Sequence, residues 1–352
     1  MRTLSPPDLA CRPSSLLLYI LLTAMIIICT GCSNSDPQER GKNSYTKVTY
    51  RLKWLLNASA AGDIWAKKAG FFNKSGIEVN IREGGAEQDA ITDILMGRAT
   101  FGAASADQVI RAVSRGADIV VAAQIFQTNP LQWIFFADET RPVRTPEDLK
   151  GLTVGITYGG NDEAIFSAIM KKYGLTENDL TLYAVHYDYA PFWKKKVNLW
   201  PVYRNTEGII LEDRMAAQGH KAAFLNPSRF GVNFVANSIV TSRHTWQTKP
   251  ELVKRFVLAL SAAWHHALDA KNITAAAKAV HQYDNDTPVE TIIRQLRSTR
   301  RFVLPQDTTA GRIDVEAWRQ TADIMLTQGL IDKALHVENL LITDIISPDN
   351  EP

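Results

Sequence analysis

Apolar and polar positions along this chain follow two periods, one typical of strands and one typical of helices. Short apolar runs predict strands at residues 48–55, 99–103, 119–126, 132–137, 153–157, 180–185 and 197–203. The run at residues 119–126 is β-branched and apolar, which predicts a strand buried on both faces. Helical spacing follows at residues 59–70, 104–114, 162–173, 206–218 and at several places after residue 250. Helices that alternate with strands indicate an α/β fold.

The stretch at residues 50–72 shows this unit most clearly. Its strand is followed by a polar loop and a helix, with Ser59 predicted as the N-cap and Gly70 as the C′ residue. Ligands of open α/β sheets bind beyond the carboxyl ends of strands. Trp54 and Asn57 lie at such an edge. We therefore predict that both line a ligand cleft; the alternative is a core tryptophan beside a turn asparagine.

Two further loops place small or polar residues before a helix. Ser105 with Asp107 follows the strand at residues 99–103, where the pair either bonds a ligand or simply caps the helix. Gly159 and Gly160 precede Asn161, and paired glycines allow a ligand to approach the backbone closely. An ordinary turn is the alternative for this loop, which lacks the spacing of nucleotide-binding motifs.

Residues 200–207 combine aromatic, amide and carboxylate side chains between a strand and a helix. We predict that Trp200 and Tyr203 wall a ligand and that Asn205 and Glu207 bond its edge. A glutamate near a helix N-terminus is favourable in any protein, but that explanation leaves the neighbouring aromatic residues unexplained.

The sequence offers no recognised catalytic or metal-binding pattern. It contains neither G-x-S-x-G nor H-E-x-x-H. His265 and His266 are adjacent in a predicted helix, so their side chains point about 100° apart and cannot bind one metal from one face. We predict a structural role for this pair, and we expect no catalytic residue, metal or cofactor.

Composition and charge narrow the possible partners. The chain has 352 residues, which suffices for two domains, and its net charge of +2 argues against a nucleic-acid binder. All three cysteines, Cys11, Cys29 and Cys32, lie near the N-terminus. No later residue can therefore form a disulfide within the folded part or act as a thiol nucleophile.

The N-terminus has the features of an export signal. Arg2 and Arg12 precede an apolar run at residues 16–28, which is too short for a comfortable membrane span. Thr30, Gly31 and Cys32 then resemble a bacterial lipobox. We predict a lipoprotein signal peptide at residues 1–31, lipidation of Cys32 and a flexible tether at residues 32–47. A plain signal peptide or a signal anchor is the alternative.

With these residues in view, the chain resembles the solute-binding proteins of bacterial importers for thiamine-precursor pyrimidines. Wider relatives of that family bind sulfonates, taurine, nitrate and riboflavin. Trp54 and Asn57 match its first motif, although Leu56 replaces the usual proline. Its other ligand loops resemble three segments of this chain, namely residues 99–105, 152–160 and 200–207.

The resemblance implies an α/β, two-lobed periplasmic-binding-protein fold of type II. Two crossovers would join the lobes, with residues 48–137 and 238–352 in lobe 1 and residues 138–237 in lobe 2. The helical C-terminal tail would belong to lobe 1.

The resemblance also implies a monomeric binding protein that performs no chemistry. It would be held outside the cytoplasm by the lipid on Cys32, bind a small aminopyrimidine-type molecule, and deliver it to an ABC permease and its ATPase. In the family, a carboxylate at the position of Glu207 holds the aminopyrimidine, and such a charge would repel sulfonate or nitrate. Binders of those anions or of riboflavin are alternatives, as is a sensor domain. A thiamine-pyrimidine synthase-like enzyme is disfavoured, because those enzymes carry a Cys-rich motif.

Overall fold

The computed structural model describes residues 45–347, except residues 86, 139, 140 and 187. The predicted signal peptide, the lipidated Cys32 and most of the predicted tether lie outside this part, so these features stay predictions. Among the helices that the structure describes, none has both the length and the apolar character needed to cross a bilayer.

Ten strands form three sheets in the described part of the chain. They are β1 (Thr46–Arg51), β2 (Ile77–Arg82), β3 (Phe101–Ala104), β4 (Ile119–Gln124), β5 (Leu131–Phe136), β6 (Thr153–Ile156), β7 (Thr181–Ala184), β8 (Trp200–Tyr203), β9 (Ala222–Leu225) and β10 (Ser238–Ser242). The sheets have the orders β2-β1-β3-β10-β4, β8-β5-β9 and β6-β7.

Twelve α-helices accompany these strands within the same described residues. They are α1 (Ala61–Lys68), α2 (Phe71–Lys74), α3 (Ala90–Leu95), α4 (Ala106–Ser114), α5 (Asn161–Lys172), α6 (Ala190–Trp193), α7 (Glu207–Ala217), α8 (Arg243–Thr248), α9 (Pro250–Leu268), α10 (Ile273–His281), α11 (Val289–Val303) and α12 (Val315–Thr327). Short 3₁₀ turns cover Ala58–Ala60, Pro146–Leu149, Pro227–Phe230, Pro305–Asp307 and Val337–Leu340.

The five-stranded sheet is buried at β3, β4 and most of β10, whereas β1 and β2 carry exposed positions. Every residue of β3 and β4 is buried, in keeping with a sheet that is covered on both faces. Phe256 of α9 stacks on Phe101 with ring centroids 3.9 Å apart and meets Tyr50 edge-on at 5.3 Å. Helix α9 also packs closely on α1. This aromatic packing fixes the end of β1 from which Trp54 and Asn57 follow.

The chain changes sheets between β4 and β5. Strand β5 pairs antiparallel with both β8 and β9. Its residues were expected in lobe 1, but they belong to the same sheet as two strands expected in lobe 2. The chain returns through residues 232–237 and then forms β10, which pairs antiparallel with β3 and β4. The segment that leaves β4 contacts the segment that leads to β10. The backbone N–H groups of Ile125 and Phe126 donate to the Asn237 carbonyl at 3.0 and 3.1 Å.

The start of the first helix differs from the prediction. Asn57, rather than Ser59, is the N-cap of the turn before α1, since its Oδ1 accepts from the Ser59 N–H at 2.9 Å. Gly70 does adopt the left-handed conformation expected at a helix end, with φ of 76°. The pattern also gives no indication of β2, α3 or β9, whose alternating or mixed sequences lack a continuous apolar run.

Candidate functional site

A cavity of about 640 Å³ lies where the chain leaves β1, β6 and β8. Its apolar wall is largely aromatic, formed by Tyr50, Trp54, Phe126, Tyr189, Trp200, Tyr203 and Trp264. Amide, carboxyl and basic side chains complete the lining, including Lys53, Asn57, Asp63, Gln108, Arg111, Arg115, Asn161, Asp162, Glu207 and Asn237. A volume of this size with a few polar groups is typical of small-molecule sites.

Most of the predicted site residues meet at this cavity. The lining includes Trp54, Asn57, Gly159, Gly160, Asn161, Trp200, Tyr203 and Glu207. Residues from the first sheet and from the two smaller sheets therefore face the same space, as the position of strand ends predicts. Whether they bind a ligand stays a prediction.

Asn57 and Glu207 form a polar contact between the two sides of the cavity. Asn57 Nδ2 donates to Glu207 Oε1 at 3.4 Å. The other carboxylate oxygen, Oε2, accepts from Thr206 Oγ1 at 2.5 Å and from the Tyr203 N–H at 3.4 Å. These contacts fix the orientation of a hydrogen-bond acceptor at the cavity wall, where α7 begins.

Ser105 and Asn205 do not line the cavity. Ser105 is fully buried and forms a capping box with Gln108, whose Oε1 accepts from the Ser105 N–H and hydroxyl at 3.2 and 3.0 Å. The capping alternative thus describes Ser105. Asn205 is also fully buried, and its Nδ2 donates to Thr299 Oγ1 of α11 at 2.8 Å. Its side chain is engaged by a helix that no local sequence pattern connects to it.

Lys53 is a cavity residue that the sequence does not single out. Its Nζ donates to Asn161 Oδ1 at 2.9 Å and to the Tyr203 hydroxyl at 3.0 Å. The Tyr203 hydroxyl in turn donates to Asn237 Oδ1 at 3.1 Å. A cation directly before Trp54 at a strand end was the available signal, but lysines at such positions usually face solvent.

Two buried carboxyl groups at the cavity have raised pKa values. Burial raises the pKa of Asp63 to about 7, although the hydrogen bond from the Tyr50 hydroxyl, at 2.6 Å, opposes this rise. Burial likewise raises the pKa of Asp162 to about 6, against the hydrogen bond from the Thr157 N–H and the nearby charge of Lys53. Carboxyl groups of this kind can donate as well as accept near neutral pH.

Helix α4 brings positive charge to the cavity. Arg111 and Arg115 are four residues apart, so they lie on one helix face, and both line the cavity. Arg111 Nη1 lies 3.9 Å from Glu163 Oε2 of α5. The lining thus carries charges of both signs, and repulsion by Glu207 alone does not exclude an anionic ligand.

Each of the paired histidines accepts a hydrogen bond within the fold. His265 Nε2 accepts from the Ala310 N–H at 3.1 Å, and His266 Nδ1 accepts from Trp65 Nε1 at 2.9 Å. Across residues 45–347, apart from the four omitted positions, no group of three His, Cys, Asp or Glu side chains has an arrangement suited to a metal ion.

Known proteins share both the sequence pattern and the fold. The family model described as "NMT1/THI5 like" matches residues 57–272. Riboflavin-binding protein RibY of Chloroflexus aurantiacus is 23% identical over 92% of this chain and 95% of its own length. A Haemophilus influenzae protein named for a role in thiamine biosynthesis is 24% identical over 84% of this chain and 91% of its own.

Among solved structures, the alkanesulfonate-binding protein SsuA from Xanthomonas axonopodis pv. citri, bound to MOPS, superposes with a TM-score of 0.64. The match covers 85% of this chain and 98% of SsuA at 17% identity, a level that establishes the fold alone. The α/β architecture implied by the resemblance is thereby confirmed as the periplasmic-binding-protein fold. Because the family model covers more than half of its residues, this chain belongs to the NMT1/THI5-like family.

Proposed function

We propose that this protein is an extracytoplasmic solute-binding protein that captures a small aromatic heterocycle of the aminopyrimidine type. The ligand would be held in the cavity between two lobes and then passed to an ABC importer. The division between the lobes would follow the change of sheets between β4 and β5. Residues 48–126 with 238–352 would then form one lobe and residues 131–237 the other, and the lobes would close by hinge motion. No catalytic step is assigned, and the named relatives reported above include a binding protein.

One observation carries this proposal. Trp54 and Asn57 come from the end of β1, Glu207 comes from the start of α7, and all three line the same cavity. The contact of 3.4 Å between Asn57 Nδ2 and Glu207 Oε1 supports the proposal, because two polar groups this close can both reach one small ligand.

The chemistry of this lining suits an aminopyrimidine. Its ring has two flat faces that can stack on Trp54, Trp200 or Tyr203. Its exocyclic amine and ring nitrogen lie on one edge, where Glu207 can accept both hydrogens if the ring is protonated. Asn57 and Asn161 would bond the remaining edge. Charge-assisted bonds of this kind contribute about 1.5–3 kcal/mol each.

A thermal-shift panel tests this function. The probes are 4-amino-2-methylpyrimidine, riboflavin and 2-(N-morpholino)ethanesulfonate, each added to the mature protein. A ligand that binds only the folded protein and is present at 100 times its dissociation constant stabilises it by about 2.7 kcal/mol, which corresponds to roughly 5 °C or more. We expect the aminopyrimidine to give such a shift. A shift with the sulfonate alone would contradict the proposal.

Riboflavin is the second candidate ligand, and the size of the cavity favours it. A space of about 640 Å³ exceeds what a single six-membered ring requires. RibY, a riboflavin-binding protein by name, also aligns with 92% of this chain. Titration with the protein should quench riboflavin fluorescence if riboflavin binds. Quenching without a thermal shift from the aminopyrimidine would show that riboflavin, and not the aminopyrimidine, is the ligand.

Delivery to a permease requires that the protein stay near the membrane. We propose that Cys32 carries the lipid that holds it there, because the residues before it resemble a lipobox. The Cys32→Ser variant should therefore move from the membrane fraction to the soluble extracytoplasmic fraction. A variant that stays in the membrane fraction would contradict lipid anchoring and favour a signal anchor.

A further inference from the structure

Helix α11 holds the turn between β8 and α7 through buried polar side chains. Asn205 Nδ2 donates to Thr299 Oγ1 at 2.8 Å, and Gln295 Nε2 donates to the Thr206 carbonyl at 3.2 Å. Thr299 Oγ1 donates in turn to the Gln295 carbonyl at 2.8 Å. All four residues are at most 2% exposed. Buried contacts of this kind are costly to break, because the partner left behind stays desolvated and unpaired.

The turn between β8 and α7 directs some side chains to the cavity and others to α11. Tyr203 and Glu207 line the cavity, whereas Asn205 contacts α11. Thr206 joins the two sides, since Gln295 holds its carbonyl while its hydroxyl donates to Glu207 Oε2 at 2.5 Å. A chain of two hydrogen bonds, joined through the covalent structure of Thr206, therefore runs from α11 to the carboxylate at the cavity wall.

Helix α11 also contacts the turn that follows Asn57. It packs against the 3₁₀ turn Ala58–Ala60, which Asn57 caps. An ion pair on the surface, in which Arg294 Nη1 and Nη2 lie 2.6 and 2.9 Å from the Asp213 oxygens, adds a second link between α11 and α7. The helix thus contacts both turns that carry the polar pair, yet no residue of Val289–Val303 lines the cavity.

We propose that Asn205, Gln295 and Thr299 are positioning residues that set the Glu207 carboxylate against the ligand. Ligand preference at the cavity then depends on a helix that never touches the ligand. The proposal rests on the proposed function for the nature of the ligand, but the hydrogen-bond chain itself is independent of it. Asn205 thereby gains a role that differs from the direct ligand bond predicted from the sequence.

The test uses Thr299→Val, which keeps the shape of the side chain but removes the hydroxyl. Thr299→Ser keeps the hydroxyl and is the matched control, and Gln295→Leu breaks the second contact independently. Hydrogen exchange of residues 203–209 is measured without ligand. Calorimetry then compares 4-amino-2-methylpyrimidine with 2-methylpyrimidine, which lacks the amine.

We expect residues 203–209 to exchange about tenfold faster in Thr299→Val and in Gln295→Leu, and at the wild-type rate in Thr299→Ser. The preference for the amine should fall at least fivefold in the first two variants only. Unchanged exchange in a folded Thr299→Val or Gln295→Leu protein would overturn the proposal whatever the ligand is. Faster exchange with an unchanged amine preference would overturn the positioning role.

The two proposals can fail separately. A wild-type protein that binds neither pyrimidine contradicts the proposed function, and the exchange rates then still decide whether α11 holds the turn. If the wild-type protein and Thr299→Val prefer the amine equally, the proposed function is supported and the positioning role of Asn205, Gln295 and Thr299 is contradicted.

Discussion

Asp63 is an acid that folding places in the cavity wall beside Tyr50, nearly without solvent contact. Its pKa rises from 3.8 to about 7 on burial, so the folded protein holds a proton that the unfolded chain has lost at the same pH. The free energy of unfolding therefore falls as pH rises from about 4 to about 7. Below about pH 4 the carboxyl group is protonated in both states, so the free energy of unfolding no longer changes with pH because of Asp63.

Replacing Asp63 with asparagine removes this pH dependence while keeping the shape of the side chain. Between pH 5 and pH 8, the wild-type protein should lose about 2.7 kcal/mol more unfolding free energy than Asp63→Asn. Denaturant titrations at the two pH values measure the difference, with Asp286→Asn at an exposed position as the control. Equal pH dependence in wild type and Asp63→Asn would show that the carboxyl group ionises freely in the folded protein.

The residue types at strand ends made part of the site predictable. Trp54, Asn57 and Glu207 stand out because a large ring, an amide and an acid follow apolar runs, and all three line the cavity. Lys53 could not be found this way. Its partners Asn161 and Tyr203 lie 108 and 150 residues away, so only the folded chain shows that it faces the cavity.

Asn205 is a residue that the sequence places in the cavity lining and the structure does not. It has the residue type and the neighbours of a ligand-binding amide, but its side chain points to Thr299, 94 residues later. A turn can direct a side chain to either side, and the sequence near Asn205 does not indicate which side α11 will cover.

At the scale of elements, the packing of α9 on α1 supports the end of β1 from which the cavity lining begins. Gly62 of α1 lies against the indole ring of Trp264, so closely that a Cβ atom would overlap the ring. Trp264 is itself fully buried, and its ring meets Phe126 edge-on at 5.9 Å, so it has little freedom to move away. The absence of a side chain at residue 62 is therefore what allows the two helices to approach.

Gly62→Ala should destabilise the protein in spite of the better helix propensity of alanine. Alanine favours a helix by about 1 kcal/mol over glycine, whereas overpacking a filled core costs about 1–3 kcal/mol or more. We expect a net loss of unfolding free energy in denaturant titration. Lys67→Ala, at an exposed position of the same helix, is the control and should change stability little. A more stable Gly62→Ala protein would show that Trp264 can shift.

Local pattern also defines most of these elements but not their pairing. The apolar runs correctly indicate β1, β3, β4, β5, β6, β7 and β8. They do not indicate how far each strand is buried, since β4 is buried throughout whereas β7 is mostly exposed. The pattern gives no indication of a strand at the residues of β10, yet they form a strand between β3 and β4. Those partners lie more than 100 residues earlier, so the pairing is a property of the whole fold.

At the scale of the whole molecule, the cavity depends on three sheets whose strand ends meet. Lys53 follows β1, Asn161 follows β6, and Tyr203 ends β8, and hydrogen bonds from Lys53 Nζ connect all three. The Tyr203 hydroxyl extends this network to Asn237, next to the two segments that connect the sheets. A ligand among these groups would contact every part that a hinge motion displaces, which is how binding and closure become coupled.

The most direct test of the central claim is a calorimetric comparison of two ligands that differ only in the amine. The wild-type protein should bind 4-amino-2-methylpyrimidine at least tenfold more tightly than 2-methylpyrimidine, since a charge-assisted bond contributes about 1.5–3 kcal/mol. Glu207→Gln should lose this preference, and Glu212→Gln, on the same helix but outside the cavity lining, should keep it. An amine preference that survives intact in Glu207→Gln would contradict the account.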